Sequence, residues 1–280
     1  MRVENRSLQL EIEHVTRFEY DDPVYESATE VRLHPSARPD ALQRCLSFDI
    51  QVNPQVNIFQ YTDYFGSIVH HFNVLQSLER LTVTTRALVE TGPGWLPAAE
   101  WAHVLYHDYL SESKYVRIDD TIRELASAFQ DTQVPFEMAE RLCRHIHETF
   151  VYEKGVTDTN STSAEVVALR QGVCQDFAHV MIAACRAAGV PARYVSGYAY
   201  FGPDTEGQER ASHAWCEIYA GQSSGYWIGF DPTHEDVFVD ERYVRIGAGR
   251  DYADLAPVRG TYKGTGKARL DVSVNIRAVR

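Results

Sequence analysis

Cys174, His213 and Asp231 are the residues whose types and surroundings could together do nucleophilic chemistry. A thiol attacks an acyl carbon as its thiolate, and the first turn of a helix stabilises that anion through unpaired amides and the positive end of the dipole. Gly172 permits a sharp turn, and Gly189 with Pro191 stops the segment that follows. Between them Phe177, Val180, Met181, Ala184, Cys185 and Ala188 recur at three- and four-residue steps. This spacing predicts a helix with one apolar stripe packed on the core and Cys174 in its first turn. A cysteine by itself is more often a small buried residue, so its chemistry depends on what stands beside it.

The neighbours come from a hairpin whose arms are predicted at about Ser212 to Tyr219 and Tyr226 to Asp231, joined by Gly and Ser residues. Ala214, Cys216 and Ile218 share one face, as do Tyr226, Ile228 and Phe230. Matching those faces sets Ala214 across from Phe230, Cys216 from Ile228 and Ile218 from Tyr226, which places His213 opposite Asp231. A carboxylate fixes the tautomer and orientation of an imidazole, as a base serving a thiol requires. Each piece has a plain structural reading, since a strand histidine is usually just hydrogen-bonded and Asp231-Pro232-Thr233 could be a simple turn. A cysteine at a helix start together with a facing His and Asp is far less expected by accident.

Stepping outward from those residues, Leu8 to about Val89 reads as strands. Leu8, Leu10 and Ile12 alternate with polar residues, Leu46, Phe48, Ile50 and Val52 repeat the pattern, and further runs span Ile68 to Leu75 and Leu81 to Val89. This predicts an antiparallel β-sandwich domain over residues 1–92. Gly92-Pro93-Gly94 breaks the pattern, and helical signals follow at Trp101 to Leu110, Ile122 to Phe129 and Pro135 to Phe150. A second domain is therefore placed over residues 93–280. Thr162-x-x-Glu165 has the form of a capping box, and Tyr194 to Tyr200 reads as a strand before a polar loop from Gly202 to Arg210.

Gly172-Val173-Cys174-Gln175-Asp176-Phe177-Ala178, the run from Arg186 to Tyr198, His213-Ala214-Trp215 and Asp231-Pro232-Thr233 resemble the bacterial transglutaminase-like family. Gly249-Arg250-Asp251-Tyr252, with Pro257 and Gly260, resembles its carboxy-terminal segment, and the strand-rich start resembles its accompanying β domain. The resemblance implies an α+β, papain-like transglutaminase core, in which a helix bearing Cys174 packs on an antiparallel sheet bearing His213 and Asp231. It also implies acyl transfer at amide bonds of peptides or proteins. Hydrolysis, as in a peptidase or amidase, is the expected outcome. The alternatives are a protein-glutamine transglutaminase with an amine acceptor and, from another class, a catalytically silent protein-binding module. Tyr152 is the candidate second oxyanion donor, Trp215 and Trp227 are expected along a substrate cleft, and His179 and Glu217 are read as structural and solvated respectively.

The 27 basic and 39 acidic residues leave a net charge of −12, which opposes attraction to nucleic acid or an anionic membrane. No stretch reaches the roughly 20 apolar residues that span a bilayer, and the mixed charge of Met1 to His14 predicts a cytoplasmic protein. The five cysteines, at 45, 143, 174, 185 and 216, lack the short paired spacing of a zinc site or disulfide framework, so no metal or other cofactor is expected.

Overall fold

A computed structural model of the chain describes residues 7–36, 43–92, 96–97, 107–132, 134–158, 160–202, 212–220 and 226–279. Its first half is strands: β1 (Leu8–Val31), β2 (Gln43–Asn53), β3 (Phe59–Thr62), β4 (Ile68–Val74), β5 (Leu78–Thr91) and the short β6 (Leu96–Pro97). Helices and two short strands follow: α1 (Asp120–Ser127), α2 (Pro135–Thr149), β7 (Val151–Tyr152), α3 (Ser163–Leu169), β8 (Gln171–Gly172) and α4 (Cys174–Ala187). The chain then forms β9 (Ala192–Ala199), β10 (His213–Ala220), β11 (Tyr226–Phe230), β12 (Tyr243–Gly249), α5 (Tyr252–Leu255), β13 (Val258–Lys263) and β14 (Ala268–Ala278).

The antiparallel strands expected at the amino terminus are organised around β1, which belongs to two layers. Its first part pairs with β5 and β14, and its last residues pair with β4 and β13. The change occurs where Asp21-Asp22-Pro23 interrupts the alternation, since proline cannot donate to a ladder, and Glu26 takes the left-handed φ of 48°. Leu10 and Ile12 from one layer and Val31, Phe72 and Val74 from the other share a core, which Tyr198, Val244 and Ile246 also enter.

β13 and β14 come from the opposite end of the chain, so residues 258–278 complete the N-terminal layers rather than the second domain to which the 92/93 boundary assigned them. Pairing at such sequence separation leaves no local signal. The Trp101–Leu110 helix falls mostly outside the described residues, and His107 to Leu110 form a turn. The polar loop after Gly202 also lies outside them.

The second core is built on α4 and a five-stranded sheet ordered β12-β9-β10-β11-β6. α1, α2 and α3 pack on α4, and α2 also reaches β10 and β11. The single apolar stripe expected of α4 understates its burial, because every residue from Asp176 to Arg186 is buried. Its polar members consequently need internal partners. Arg186 donates to the carbonyls of Ala192, Ser111 and Arg250, and His179 Nε2 accepts from Tyr252 N at 3.2 Å. The capping box at α3 is present, with Thr162 N donating to Glu165 Oε2 at 2.7 Å.

Candidate active site

Cys174 is the first residue of α4, and a small local network sets its position. The Asp176 carboxylate folds back to accept from Val173 N at 2.8 Å and from Thr157 Oγ1 at 2.7 Å. Gly172 makes room for it, since a Cβ there would stand 2.6 Å from Asp176 Oδ2. Burial raises the Asp176 pKa, with the two donors acting against that rise. On the other side, Tyr152 pairs with Gly172 across the parallel β7–β8 bridge. Its ring meets Phe177 edge-on, and its phenol is pushed up to about 12 by burial and then by the charges of Cys174 and Asp176. Tyr152 therefore keeps its proton, and 48% of it is exposed.

His213 opens β10 and stands between Cys174 and Asp231. Its Nε2 lies 2.6 Å from Asp231 Oδ2, and Cys174 is close enough to its ring to act on it electrostatically. Burial works against protonating this imidazole, but the charges of Asp231 and Cys174 outweigh it and raise its pKa above the ordinary histidine value. Asp231 is fully buried. Burial would raise its pKa, yet His213 and the Thr233 amide, which donates to Oδ1 at 2.9 Å, hold it at about 2. Tyr243, the first residue of β12, donates its hydroxyl to Asp231 Oδ2 at 2.8 Å.

The hairpin register differs from the one read from the sequence by two residues. Cys216 faces Phe230 and Ile218 faces Ile228, instead of Ala214 facing Phe230 and Cys216 facing Ile228. His213 and Asp231 are thus not directly opposed, and they meet because Asp231 lies just past the end of β11. A slip of two keeps every side chain on its own face, so apolar alternation cannot distinguish the two registers.

A sequence model of the transglutaminase-like superfamily core matches residues 123–232, from α1 through Asp231, and one of the bacterial transglutaminase-like N-terminal region matches residues 10–90. The chain belongs to the transglutaminase-like superfamily. An uncharacterized protein of Mycobacterium leprae is 31% identical over 283 residues, covering 96% of this chain and 98% of its own. A protein-glutamine gamma-glutamyltransferase of Pseudomonas aeruginosa is 30% identical over 105 residues, 35% of this chain and 15% of its own. The fold matches the crystal structure of a candidate cysteine protease from Cytophaga hutchinsonii, with a TM-score of 0.79, 21% identity and coverage of 98% of this chain and 92% of that one.

Within this transglutaminase-like core the remaining residues expected at the site fall elsewhere. Trp215, expected along a cleft, is 1% exposed and packs edge-on beneath Tyr243 at 5.3 Å. Trp227 is also buried, against Tyr109 at 5.3 Å and beneath the Arg193 guanidinium at 4.0 Å. Glu217, read as solvated, is buried and accepts from Arg193 Nε at 2.6 Å, with Arg245 at 3.9 Å. Aromatic residues on a hairpin read alike whether they face a cleft or a packed layer, and here Trp215 packs among Val195, Ala199, Tyr243 and Ala248 while Trp227 packs against Tyr109.

Three residues at the site escaped sequence reasoning: Tyr243, Phe201 and His234. Phe201 packs at a tilt of 45° against His234 with ring centres 4.1 Å apart, and His234 Nε2 lies 3.9 Å from Asp231 Oδ2. The only sequence signal for His234 is its place three residues after Asp231, at the end of the Asp231-Pro232-Thr233 turn, where its amide donates to Asp231 O. His213, Asp231 and His234 offer donor atoms within 4.8 Å of one another, the spacing of a possible cation site. Asp231 Oδ2, however, already accepts from His213 and Tyr243, so coordination there would have to displace the bond that orients His213.

Proposed function

We propose that this protein is a cysteine-dependent acyl-transfer enzyme acting on amide bonds of peptides or proteins, with Cys174 as nucleophile, His213 as its base and Asp231 orienting that base. The observation that carries this reading is His213, bonded to buried Asp231 through Nε2 at 2.6 Å, with Cys174 at the start of α4 near enough to act on the same imidazole. The thiol proton passes to His213, and sulfur forms a bond to the acyl carbon. The amide C–N bond breaks as His213 returns that proton to the leaving amine. An acceptor then attacks the thioester, its proton goes to His213, and the thiolate leaves. The Cys174 amide, at a helix position without an intrahelical acceptor, and the protonated Tyr152 phenol are the donors proposed for the oxyanion.

Water is the acceptor we favour, giving an amidase or peptidase. A transglutaminase reading has its own support in the similarity to the Pseudomonas aeruginosa protein-glutamine gamma-glutamyltransferase. Incubation with glutamine-containing peptides, with and without methylamine, separates the two by mass spectrometry. Cleavage or deamidation unaffected by methylamine is the expected result, and incorporation of methylamine in preference to water would replace hydrolysis with transfer. Absence of any thioester at Cys174 under an acylating activity probe would favour a silent binding module instead.

A further inference from the structure

We propose that Tyr243 is a positioning residue of this site, its hydroxyl holding the Asp231 carboxylate in the orientation that serves His213; this rests on the reading above. Rotation of an aspartate carboxylate is soft and broadly distributed, so geometry at His213 depends on what anchors both oxygens. Thr233 N holds Oδ1 at 2.9 Å, while Oδ2 receives His213 Nε2 at 2.6 Å and Tyr243 Oη at 2.8 Å. His234, at 3.9 Å, is beyond hydrogen-bond reach. Without Tyr243, Oδ2 would be held only by the histidine it is meant to orient.

Tyr243 is itself rigidly seated. Its amide donates to Asp240 O at 3.1 Å, its strand residue pairs with Ala199, and its ring packs edge-on against Trp215 and Phe201. Trp215 in turn is pinned by Gly197, where a Cβ would stand 2.5 Å from Trp215 Cη2 and 2.1 Å from the Val244 carbonyl oxygen. A buried phenol needs a partner, and here the partner is the ionised carboxylate. The anion also raises the Tyr243 pKa, next to the effect of burial, so the hydroxyl stays a donor.

A double-mutant cycle tests whether Tyr243 acts through Asp231. The readout is the rate at which iodoacetamide alkylates Cys174 in the full chain. Tyr243→Phe, which keeps the ring and its packing, should slow alkylation by about tenfold, the loss of one hydrogen bond to a charged group. In an Asp231→Asn background the same change should cost less than about twofold. Equal slowing in both backgrounds, or no slowing in the first, would overturn the proposal. Should Asp231→Asn not fold, the far-downfield imidazole proton of His213 in the NMR spectrum decides. It moves upfield in Tyr243→Phe if the hydroxyl holds the carboxylate, and stays in place if the ring only fills space. A wild-type Cys174 no more reactive than Cys45 would defeat the acyl-transfer reading instead, and the NMR comparison would still judge Tyr243.

Discussion

In the N-terminal layers, His14 is withdrawn from water and meets only uncharged partners, Tyr198 Oη at 2.9 Å and Thr16 Oγ1 at 3.0 Å. Burial lowers its pKa from the ordinary 6.5 to about 4. In the five-stranded sheet, His213 is also withdrawn from water, but Asp231 and Cys174 raise its pKa instead. Removing an imidazole from solvent makes it neutral, and a buried carboxylate at 2.6 Å reverses the outcome. Both regions contain ion pairs: the N-terminal layers carry Arg86–Glu13 and Arg277–Glu11 at the surface and bury Arg32–Asp63, and the core around the site buries Arg193–Glu217. Surface pairs contribute little to stability, while a buried pair severed on one side leaves a costly unpaired charge.

That comparison is broken most completely at the thiol. Cys174→Ala should abolish turnover and thiol labelling at the site while leaving the melting temperature close to that of the wild type, because Cys174 is only half-buried. Asp231→Asn should make His213 resemble His14, neutral across the physiological range. Turnover should then fall substantially, though by less than the roughly 10⁴-fold that the same change costs a serine triad, since a thiol leans less on its base. Unchanged turnover would remove Asp231 from the mechanism.

Gly197→Ala places a methyl group against the Val244 backbone oxygen and Trp215, and should lower stability by about 1–3 kcal/mol in calorimetry. Tyr198→Phe strips His14 of a partner in the N-terminal layers and should cost about 1–3 kcal/mol in stability without altering Cys174 alkylation. The pH dependence sharpens the contrast further. His14 and His70, both lowered to about 4, bind fewer protons folded than unfolded between that value and 6.5. Their contribution is therefore lost as pH falls through that window. His213, raised, contributes fully below 6.5 and loses its contribution as pH rises through its folded value. A denaturation series should show stability declining below 6.5 in the wild type and less steeply in His14→Gln.

What was legible in the sequence was local. The start of α4, the capping box at α3 and the alternation of β1 and β5 are written in spacings of two to four residues. The meeting of His213 with Asp231 was also reachable, although through a register two residues out, because even slips conserve faces. The pairing of β13 and β14 with β1 depends on partners about a chain length away. The burial of Trp215, Trp227 and Glu217 depends on residues of β9, β12 and the segment near Tyr109, which lie far off in sequence, and Tyr243 reaches Asp231 only once β12 has been placed beside β9.

The central claim is that Cys174 alone among the five cysteines is activated, by His213 held by Asp231. Cys143, Cys185 and Cys216 are buried thiols whose pKa burial raises, and Cys45 is half-buried with its pKa raised for the same reason. Limited iodoacetamide treatment of the folded protein at mildly acidic pH, followed by peptide mapping, tests this directly. The expected result is label on Cys174 well before Cys45. Label on Cys45 or any other cysteine at the same rate or sooner would contradict it.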